Sequence, residues 1–464
     1  MPKLASILVL IFTLAGAARA QDKCRVFVLT DISNEPDDEE SLVRFLVYAN
    51  EFDVEGLAAV TSTWLKTKTR EDLIRRDLAA YAEVRTNLLK HAPGFPAAEQ
   101  LLAVTTSGQP GYGMGFVGPR KSSGGSQLII DAADKPDARP LWITIWGGAN
   151  TLAQALTDVR AARNADELKK FVSKLRVYSI SDQDDAGAWL RKEFSGLFYV
   201  VSPSTQDGKE YWRATWTGIS GERRYKNGPL HKFNLVDNPW LEEHIIKNHG
   251  PLGALYPRLA YIMEGDTPSF LGLINHGLGW EISPAYGGWG GRYVFYQPSG
   301  ETRPIWSNNA DSRDTVTADT GETETSDQAT IWRWREQYQN DFAARMNWCV
   351  AADFTNANHN PIPVLNGDRT KNIITISATS GATVSLTGEG TSDPDGNSVR
   401  MTWWIYPEAG NIPGASLTAD EGLKTQVHLP QTAKRGKLHV VLQVTDDGNP
   451  PLSAYRRAII EVAP

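Results

Sequence analysis

Apolar and polar positions follow two alternating patterns through the first two thirds of the chain. Short apolar runs rich in β-branched residues are typical of buried parallel strands. The clearest runs are Val26 to Leu29, Val54 to Val60, Leu141 to Trp146, Leu175 to Ile180 and Leu197 to Val201. Between them, Arg70 to Val84 and Leu152 to Ala161 place apolar residues at helical spacing. This alternation predicts an α/β domain, a mostly parallel sheet flanked by helices.

The pattern changes downstream of the predicted sheet. Residues 202–324 are rich in Gly, Pro and aromatic residues and predict long loops over the active face. Helical spacing returns over Asp327 to Met346, where Ser326 is the predicted N-cap. Residues 354–368 are polar and turn-rich, so we expect a linker after an α/β domain of residues 21–353. Short alternating runs over residues 369–464 then predict an all-β sandwich.

The first twenty residues predict an export signal. Lys3, an apolar stretch from Ile7 to Leu14 and Ala18-Arg19-Ala20 follow the layout of a signal peptide over residues 1–20. We therefore expect a secreted or periplasmic protein. A lipid anchor on Cys24 is the alternative, which the polar residues before that cysteine disfavour.

Composition restricts the classes of partner. A net charge of -7 and a pI near 5.7 argue against binding nucleic acid or anionic membranes through charge. No segment after the signal is apolar enough to cross a membrane. The two cysteines, Cys24 and Cys349, form either one disulfide or two separate thiols. The oligomeric state stays open.

The strongest chemical signal lies where the first predicted strand ends. Asp31 follows that strand, and Asp37 and Asp38 begin the next helical segment. First-turn acids can simply stabilise a helix N-terminus, which would explain Asp37 and Asp38 but not Asp31. Ligands bind at the carboxyl ends of strands in open α/β sheets. We therefore predict a site for a divalent cation or for sugar hydroxyls, and the absence of a glycine-rich loop argues against a dinucleotide.

Other residues are weaker candidates for substrate binding. Asn150, in a glycine turn after another strand, offers an oxygen to a ligand, although such turns commonly only cap helices. Aromatic residues crowd the loop region, and Trp216, Trp280 and Trp289 would form a platform for sugar rings or pack the loops onto the sheet. His276 is either an acid for a leaving group or a structural donor.

These motifs resemble the nucleoside hydrolase superfamily. Asp31 matches the first Asp of the family's acidic signature, Asp37 and Asp38 match its closing pair, and Asn150 lies where the family supplies a backbone carbonyl. The resemblance implies a calcium ion held by Asp31, Asp38, the Asn150 carbonyl and Asp266. It also implies attack of water on a glycosyl bond, with Asp31 or Asp37 as the base and inversion at the anomeric carbon.

The segments TDISNEPDD, SDQDD and EGDTPSF are similar to a secreted bacterial group described as nucleoside hydrolase-like and cellulose-binding, with an immunoglobulin-like C-terminal domain. One position departs from the superfamily, since Ser33 stands where the presumed general base, an Asp, is found. The resemblance therefore implies a secreted hydrolase acting on carbohydrate, including plant or algal polysaccharide, or on an N-glycosyl substrate. The alternatives are a non-catalytic cellulose- or polysaccharide-binding protein and a nucleoside scavenger.

Overall fold

The computed structural model describes residues 23–33, 35–431 and 434–464. The predicted signal peptide, residues 1–20, lies outside the described residues. Among the described residues, no helix has the length and apolar character that crossing a membrane requires.

The first domain is built on an eight-stranded sheet. Its strands are β1 Cys24–Thr30, β2 Phe52–Ala59, β3 Thr105–Ser107, β4 Leu141–Ile145, β5 Leu175–Ser179, β6 Phe198–Val201, β7 Val294–Tyr296 and β8 Ile305–Ser307. The strand order is β3-β2-β1-β4-β5-β6-β8-β7, and every pair is parallel except β7 with β8. The predicted α/β class is confirmed. The chain builds outward from β1 in both directions, so the strand order reverses between β1 and β4, where open sheets bind ligands.

Helices cover both faces of this sheet. They are α1 Asp37–Val47, α2 Glu71–His91, α3 Ala98–Ala103, α4 Gly124–Asp134, α5 Asn150–Ala162, α6 Ala165–Ser173, α7 Ala186–Glu193, α8 Glu222–Tyr225, α9 Asn238–Leu241, α10 Gly250–Leu255, α11 Pro268–Leu271, α12 Ala329–Trp332 and α13 Arg335–Trp348. Val26 and Val28 of β1 pack with α1, α2 and α13, whereas Phe27 and Leu29 pack with α4 and α5. Each strand therefore contributes alternate side chains to two separate cores.

The prediction of one continuous last helix is wrong, because the structure has two helices there. Arg333 and Trp334 separate α12 from α13, while the Ser326 hydroxyl accepts the Ala329 N–H at 3.1 Å, close to the predicted cap. The break lets Trp334 pack on Trp404 of the C-terminal domain, 5.6 Å between ring centroids. Ser326 itself ends a hairpin of β9 Asp314–Thr317 and β10 Thr323–Ser326.

The C-terminal domain is a two-sheet sandwich, as predicted. Its strands are β11 Ile374–Thr379, β12 Thr383–Thr387, β13 Val399–Ile405, β14 Ser416–Leu417, β15 Lys424–His428, β16 Gly436–Asp446 and β17 Ser453–Ala463. Sheets β11-β17-β16-β13 and β12-β15-β14 enclose Trp403, Val427 and Leu442.

The two domains share one apolar core. Tyr406 and Tyr455 of the sandwich belong to the core cluster that begins at β1. Arg457 donates to the carbonyls of Tyr286 and Gly287 in the first domain, at 2.5 and 3.0 Å. Both cysteines are free thiols in this arrangement.

Candidate functional site

The carboxyl end of β1 delivers three aspartates to one point. Asp31 directly follows the strand, and Asp37 and Asp38 form the first turn of α1. The Thr30 hydroxyl donates to Asp38 Oδ1, which ties the start of the helix to the end of the strand. A Cβ on Gly147 would lie 2.6 Å from Asp31 Oδ1, so only glycine lets the turn after β4 approach this carboxylate so closely.

A fourth aspartate reaches the same point from the loop before α11. Glu264 anchors that loop through an ion pair with Arg44, 2.5 Å between Nε and Oε2, and through hydroxyl donors from Tyr256 and Thr267. Asp266, two residues later, is 2% exposed, and its Oδ2 has no hydrogen-bond partner among the described residues. Gly265 permits the approach, because a Cβ there would lie 2.7 Å from Asp37 Oδ2.

These acids form a cluster with unusual electrostatics. One carboxylate oxygen from each of Asp37, Asp38 and Asp266 lies within 4.8 Å of the other two. Burial, opposed by a hydrogen bond from Ser62, raises the pKa of Asp31 to about 7. Burial and then the charges of Glu35 and Asp31 raise the pKa of Asp37 to about 8. Burial and the neighbouring aspartates also raise the pKa values of Asp38 and Asp266 well above their usual range.

The loop between β1 and α1 brings a fifth carboxyl group into the site. Glu35 lines the cavity, and burial raises its pKa. Ser33 has a backbone φ of +107°, which residues other than glycine rarely adopt, and it does not line the cavity. Asn34 lies outside the described residues. The carboxyl group missing at Ser33 therefore has a nearby counterpart in Glu35, a position from which the sequence could compensate for Ser33.

The cluster forms the floor of a cavity of about 410 Å³ with aromatic walls. Trp216 is buried in the wall and donates its indole N–H to Ser181 Oγ at 2.8 Å. Further aromatic residues of the lining are Trp64, Tyr211, Tyr225 and Tyr261. Trp64 is 42% exposed and Tyr261 60% exposed, so these rings stand at the mouth and offer free surface. Arg224 is the one Lys or Arg in the lining.

The SDQDD segment after β5 contributes a residue that sequence reasoning missed. Gln183 lines the cavity, donates from Nε2 to the Trp146 carbonyl, and leaves its buried Oε1 without a partner among the described residues. The neighbouring acids have structural roles, because Asp182 pairs with Arg191 and Asp184 accepts the N–H of Asn150. The position of Gln183 just beyond a parallel strand was the signal that could have found it.

Asn150 does not belong to the cavity lining. It is fully buried at the first position of α5, where its amide donates to the carbonyls of Gly111 and Gly113 at 2.8 and 3.3 Å. The side chain thus fastens the 111–113 loop to the helix. The structure joins Asp31, Asp37, Asp38 and Asp266 at one place and leaves Asn150 outside the lining.

Most of the predicted aromatic platform lies elsewhere. Trp280 is fully buried and stacks on Tyr178 at 5.4 Å, so it presents no face to a ligand. Trp289 and His276 lie at the contact between the two domains, where they line a second cavity. The correction has a physical reason, because both tryptophans belong to the apolar core: Trp280 packs on Trp142 and Tyr178 of the sheet, and Trp289 packs on Tyr455 of the sandwich. Of the predicted aromatic ligands, Trp216 alone lines the carboxylate cavity.

The donor set at the carboxylate cavity fits a hard divalent cation. Calcium prefers carboxylate and amide oxygens, and several of them converge here with partnerless oxygens on Asp266 and Gln183. The raised pKa values of Asp38 and Asp266 also favour a cation, because the buried acids repel one another until protons or a cation neutralise them. A phosphate would meet the same repulsion, which argues against an anionic ligand on this floor.

Comparison with known proteins identifies the family. Residues 25–293 match the family described as cellulose-binding Sde182, nucleoside hydrolase-like domain. The chain belongs to this family. Residues 383–462 also match the C-terminal domain of the cellulose-binding protein Sde0182, so both domains of this Sde182-type chain are accounted for. No curated protein matches the chain.

A solved structure extends the likeness to nearly the whole chain. It is a nucleoside hydrolase-related hypothetical protein from Saccharophagus degradans that is associated with carbohydrate metabolism. Its identity is 38%, its TM-score 0.82, and the match covers 95% of this chain and 100% of that one. A match to human CDH23 EC21-23, at 19% identity, covers 22% of this chain and 33% of that one with a TM-score of 0.16, which carries no argument. The nucleoside hydrolase-like fold of this Sde182 family member is thus established.

Proposed function

We propose that this protein hydrolyses a glycosidic bond in a carbohydrate. The observation that carries the proposal is the convergence of Asp31, Asp37, Asp38 and Asp266 at a ligand-binding edge of the sheet, under aromatic walls and without a matching set of cations. Burying like charges together costs stability, so such an arrangement is expected where function needs it. Aromatic faces beside acids suit sugar rings, whose apolar faces stack while their hydroxyls accept and donate hydrogen bonds.

Calcium is the cation that this donor set favours. Asp37, Asp38 and Asp266 would hold it, with Gln183 Oε1 as a neutral oxygen close to the cavity floor. When bound, calcium would supply positive charge that orients sugar hydroxyls and lowers the pKa of a coordinated water. This set differs from the one implied by the family resemblance, because Asp37 takes the place of the Asn150 carbonyl and Asp31 stays free for proton transfer.

Asp31 is our candidate for the general base. It lies beside the cluster, and a pKa of about 7 lets its carboxylate take a proton near neutral pH. Glu35, at the same cavity, is our candidate for protonating the departing oxygen, because burial raises its pKa. Water then adds to the anomeric carbon as the bond to the leaving group breaks, which predicts inversion.

The substrate class follows from three supports. The family's printed description is cellulose-binding, and the 38% identical relative is described as associated with carbohydrate metabolism. The exposed rings of Trp64 and Tyr261 at the mouth could carry further sugar units of a chain. We therefore propose a polysaccharide or oligosaccharide, from plants or algae, as the substrate of a secreted or periplasmic protein.

The test is a screen of the purified protein on plant and algal polysaccharides, cello-oligosaccharides and nucleosides, with calcium and with a chelator. We expect product that disappears with the chelator and with Asp38→Asn. The matched control is Asp72→Asn, which also removes a first-turn aspartate but from the exposed start of α2, where Asp72 pairs with Arg70. Release of product by the Asp38→Asn variant at the native rate would refute the proposal.

A second candidate function is carbohydrate binding without catalysis. Ser33 supports it, since this position lacks the carboxyl group of the superfamily and points no group into the cavity lining. This candidate predicts retention on insoluble cellulose or another glycan and no reducing sugar from any substrate. Retention by the native protein, lost in Asp266→Asn, would favour it if the screen gives no product.

A further inference from the structure

Two buried histidines connect the α/β domain to the sandwich. His91 ends α2, and His359 lies in the segment that leads into the sandwich; only 6% and 5% of their surfaces are exposed. His91 Nδ1 lies 3.0 Å from His359 Nε2, and the ring centroids are 5.2 Å apart. That centroid distance is almost the largest this nitrogen contact allows. The rings therefore lie end to end, with the two nitrogens facing each other.

The far nitrogen of each ring also has a partner. His359 Nδ1 lies 2.9 and 3.1 Å from the two oxygens of Asp395, in the turn between β12 and β13. Asp395 Oδ2 further accepts the His359 backbone N–H at 2.7 Å. His91 Nε2 lies 3.0 Å from the Ala351 carbonyl, just after α13. The contacts thus run from a carboxylate of the sandwich through two imidazoles to a carbonyl of the first domain.

This series of contacts needs more protons than two neutral histidines carry. An ionised carboxylate and a carbonyl only accept hydrogen bonds, so His359 Nδ1 and His91 Nε2 must each bear a proton. A neutral imidazole carries one proton, and both are then used. The facing nitrogens would be two lone pairs at 3.0 Å. A hydrogen bond between them requires a third proton, which makes one ring an imidazolium.

The nearby charges place that positive charge on His359. The Asp395 carboxylate lies against the His359 ring at 2.9 Å, whereas Lys90 is the neighbour of His91 in α2. Burial lowers the pKa of His91, opposed by the hydrogen bond to Ala351 and reinforced by the charge of His359. His91 is therefore the neutral ring, which accepts through Nδ1 and donates through Nε2.

The other groups around the pair favour a proton over a metal ion. The Phe354 ring stacks on His359 at 3.6 Å and Trp348 lies 5.2 Å from it, so two of the neighbours are uncharged rings. Asp393, whose Oδ1 accepts the Asp395 N–H, adds negative charge on the sandwich side. No third metal-ligating side chain joins the two imidazoles in the part of the chain that the structure describes. A metal ion between the nitrogens would therefore lack protein ligands.

We propose that His91 and His359 share one proton, and that this proton makes the contact between the two domains dependent on pH. With the third proton present, every contact from Asp395 to Ala351 is satisfied. When it leaves, either two lone pairs face each other, or His91 donates through Nδ1 and the Ala351 carbonyl loses its donor. The folded pair then binds more protons than the unfolded chain, so the contact weakens as pH rises. The inference is independent of hydrolysis at the carboxylate cavity.

The test counts the protons on both rings in the full-length protein labelled with ¹⁵N-histidine. Long-range ¹H–¹⁵N correlation distinguishes protonated from bare ring nitrogens, and the signals missing from His91→Gln and from His359→Gln assign the two rings. At about pH 6 we expect three protonated nitrogens in the pair, with His91 Nδ1 as the bare one. Any other count in the native protein would overturn the proposal, so the result does not depend on how a variant folds.

Asp395→Asn removes the charge that holds the third proton, and we expect this variant to lose that proton at a lower pH than the native protein. The matched control is Asp353→Asn, which removes an exposed acid from the adjoining loop and should keep the native titration. In the native protein, exchange of the His359 amide, corrected for its intrinsic pH dependence, should accelerate about two- to tenfold as the proton leaves. An unchanged titration in Asp395→Asn, or exchange that does not follow the loss of the proton, would contradict the proposal.

Discussion

Glu264 and Asp266 lie two residues apart in one loop and are both almost fully buried, yet only Glu264 has a cation beside it among the described residues. Glu264 has a cation, Arg44, and hydroxyl donors from Tyr256 and Thr267. Asp266 faces other carboxylates and leaves Oδ2 without a partner among the described residues. The neutralised acid holds the loop, whereas the acid that is not neutralised is available to an external cation.

The same division appears at the end of β5. Asp182 is paired with the buried Arg191 at 2.7 Å, whereas the neighbouring Gln183 lines the cavity and has a buried oxygen without a partner among the described residues. A buried charge costs several kcal/mol unless it is paired, so the acids left unpaired identify the place where a ligand is expected. Four predictions test this distinction.

The largest effect is expected from removing the cation of the paired acid. Arg44→Met leaves the buried Glu264 without its cation. Glu40, which is also buried and whose Oε2 accepts the Glu264 N–H, loses the same nearby positive charge. We expect the free energy of unfolding to fall by about 3 to 5 kcal/mol. Denaturant unfolding in the presence of a chelator measures this change. An unchanged midpoint would show that the pair does not anchor the loop.

The unpaired acids predict a pH dependence of the metal-free protein. The pKa values of Asp31 and Asp37, about 7 and about 8 in the folded state, are raised from 3.8. The folded state therefore holds protons that the unfolded state has lost, and stability falls as pH rises through 7 and 8. We expect Asp31 and Asp37 together to lower the free energy of unfolding by about 3 kcal/mol from pH 6.5 to about pH 8.5.

The control for that measurement is Asp31→Asn, which should flatten the slope. His276 and His439, whose pKa values are lowered to about 3, oppose this change, because in the unfolded state they lose protons as pH rises above 6.5. Asp31→Asn keeps both histidines, so its comparison with the native protein cancels their contribution. Stability that rises with pH across this window would contradict the assignment.

Asp266→Asn should act in the opposite direction to Arg44→Met. Removing one charge from the unpaired cluster relieves repulsion, so we expect the metal-free protein to gain about 1 kcal/mol. The stabilisation that calcium gives to the native protein should disappear. Thermal unfolding with calcium and with chelator measures both effects, and a destabilised metal-free variant would count against the account.

The smallest effect is expected at Asp72, a solvated aspartate that occupies the second position of α2 as Asp38 occupies the second position of α1. Asp72→Asn removes an exposed first-turn aspartate whose ion pair among the described residues is with Arg70. Water and salt screen such pairs, so neither stability nor calcium response should change measurably. A marked loss of calcium response in this variant would mean that the effects at Asp38 and Asp266 are not specific.

The sheet was predictable from sequence because its strands are short apolar runs between amphipathic helices. The grouping of Asp31, Asp37 and Asp38 was predictable as well, because a short loop connects the end of β1 to the start of α1 and keeps them close together. β3, β7 and β8 were not predicted, because each has only three residues, too few to form an apolar run in the sequence. The interruption at Trp334 was missed because it depends on packing against Trp404 of the other domain.

The walls of the site depended on information that lies outside any local pattern. Tyr261 takes φ +67°, and its exposed ring reaches the mouth through a turn that sequence does not announce. Trp216, Trp280 and Trp289 all belong to one apolar core, yet of these three rings Trp216 alone also lines the carboxylate cavity. Local composition identified an aromatic region correctly but could not say which rings face the cavity.

The central claim is that the unpaired carboxylates hold a cation. Calorimetric titration of calcium into the chelator-treated protein tests it most directly, with Asp266→Asn and Asp72→Asn measured alongside. The account predicts one saturable site in the native protein and in Asp72→Asn, and none in Asp266→Asn. No calcium binding by the native protein, or equal binding by Asp266→Asn, would contradict it.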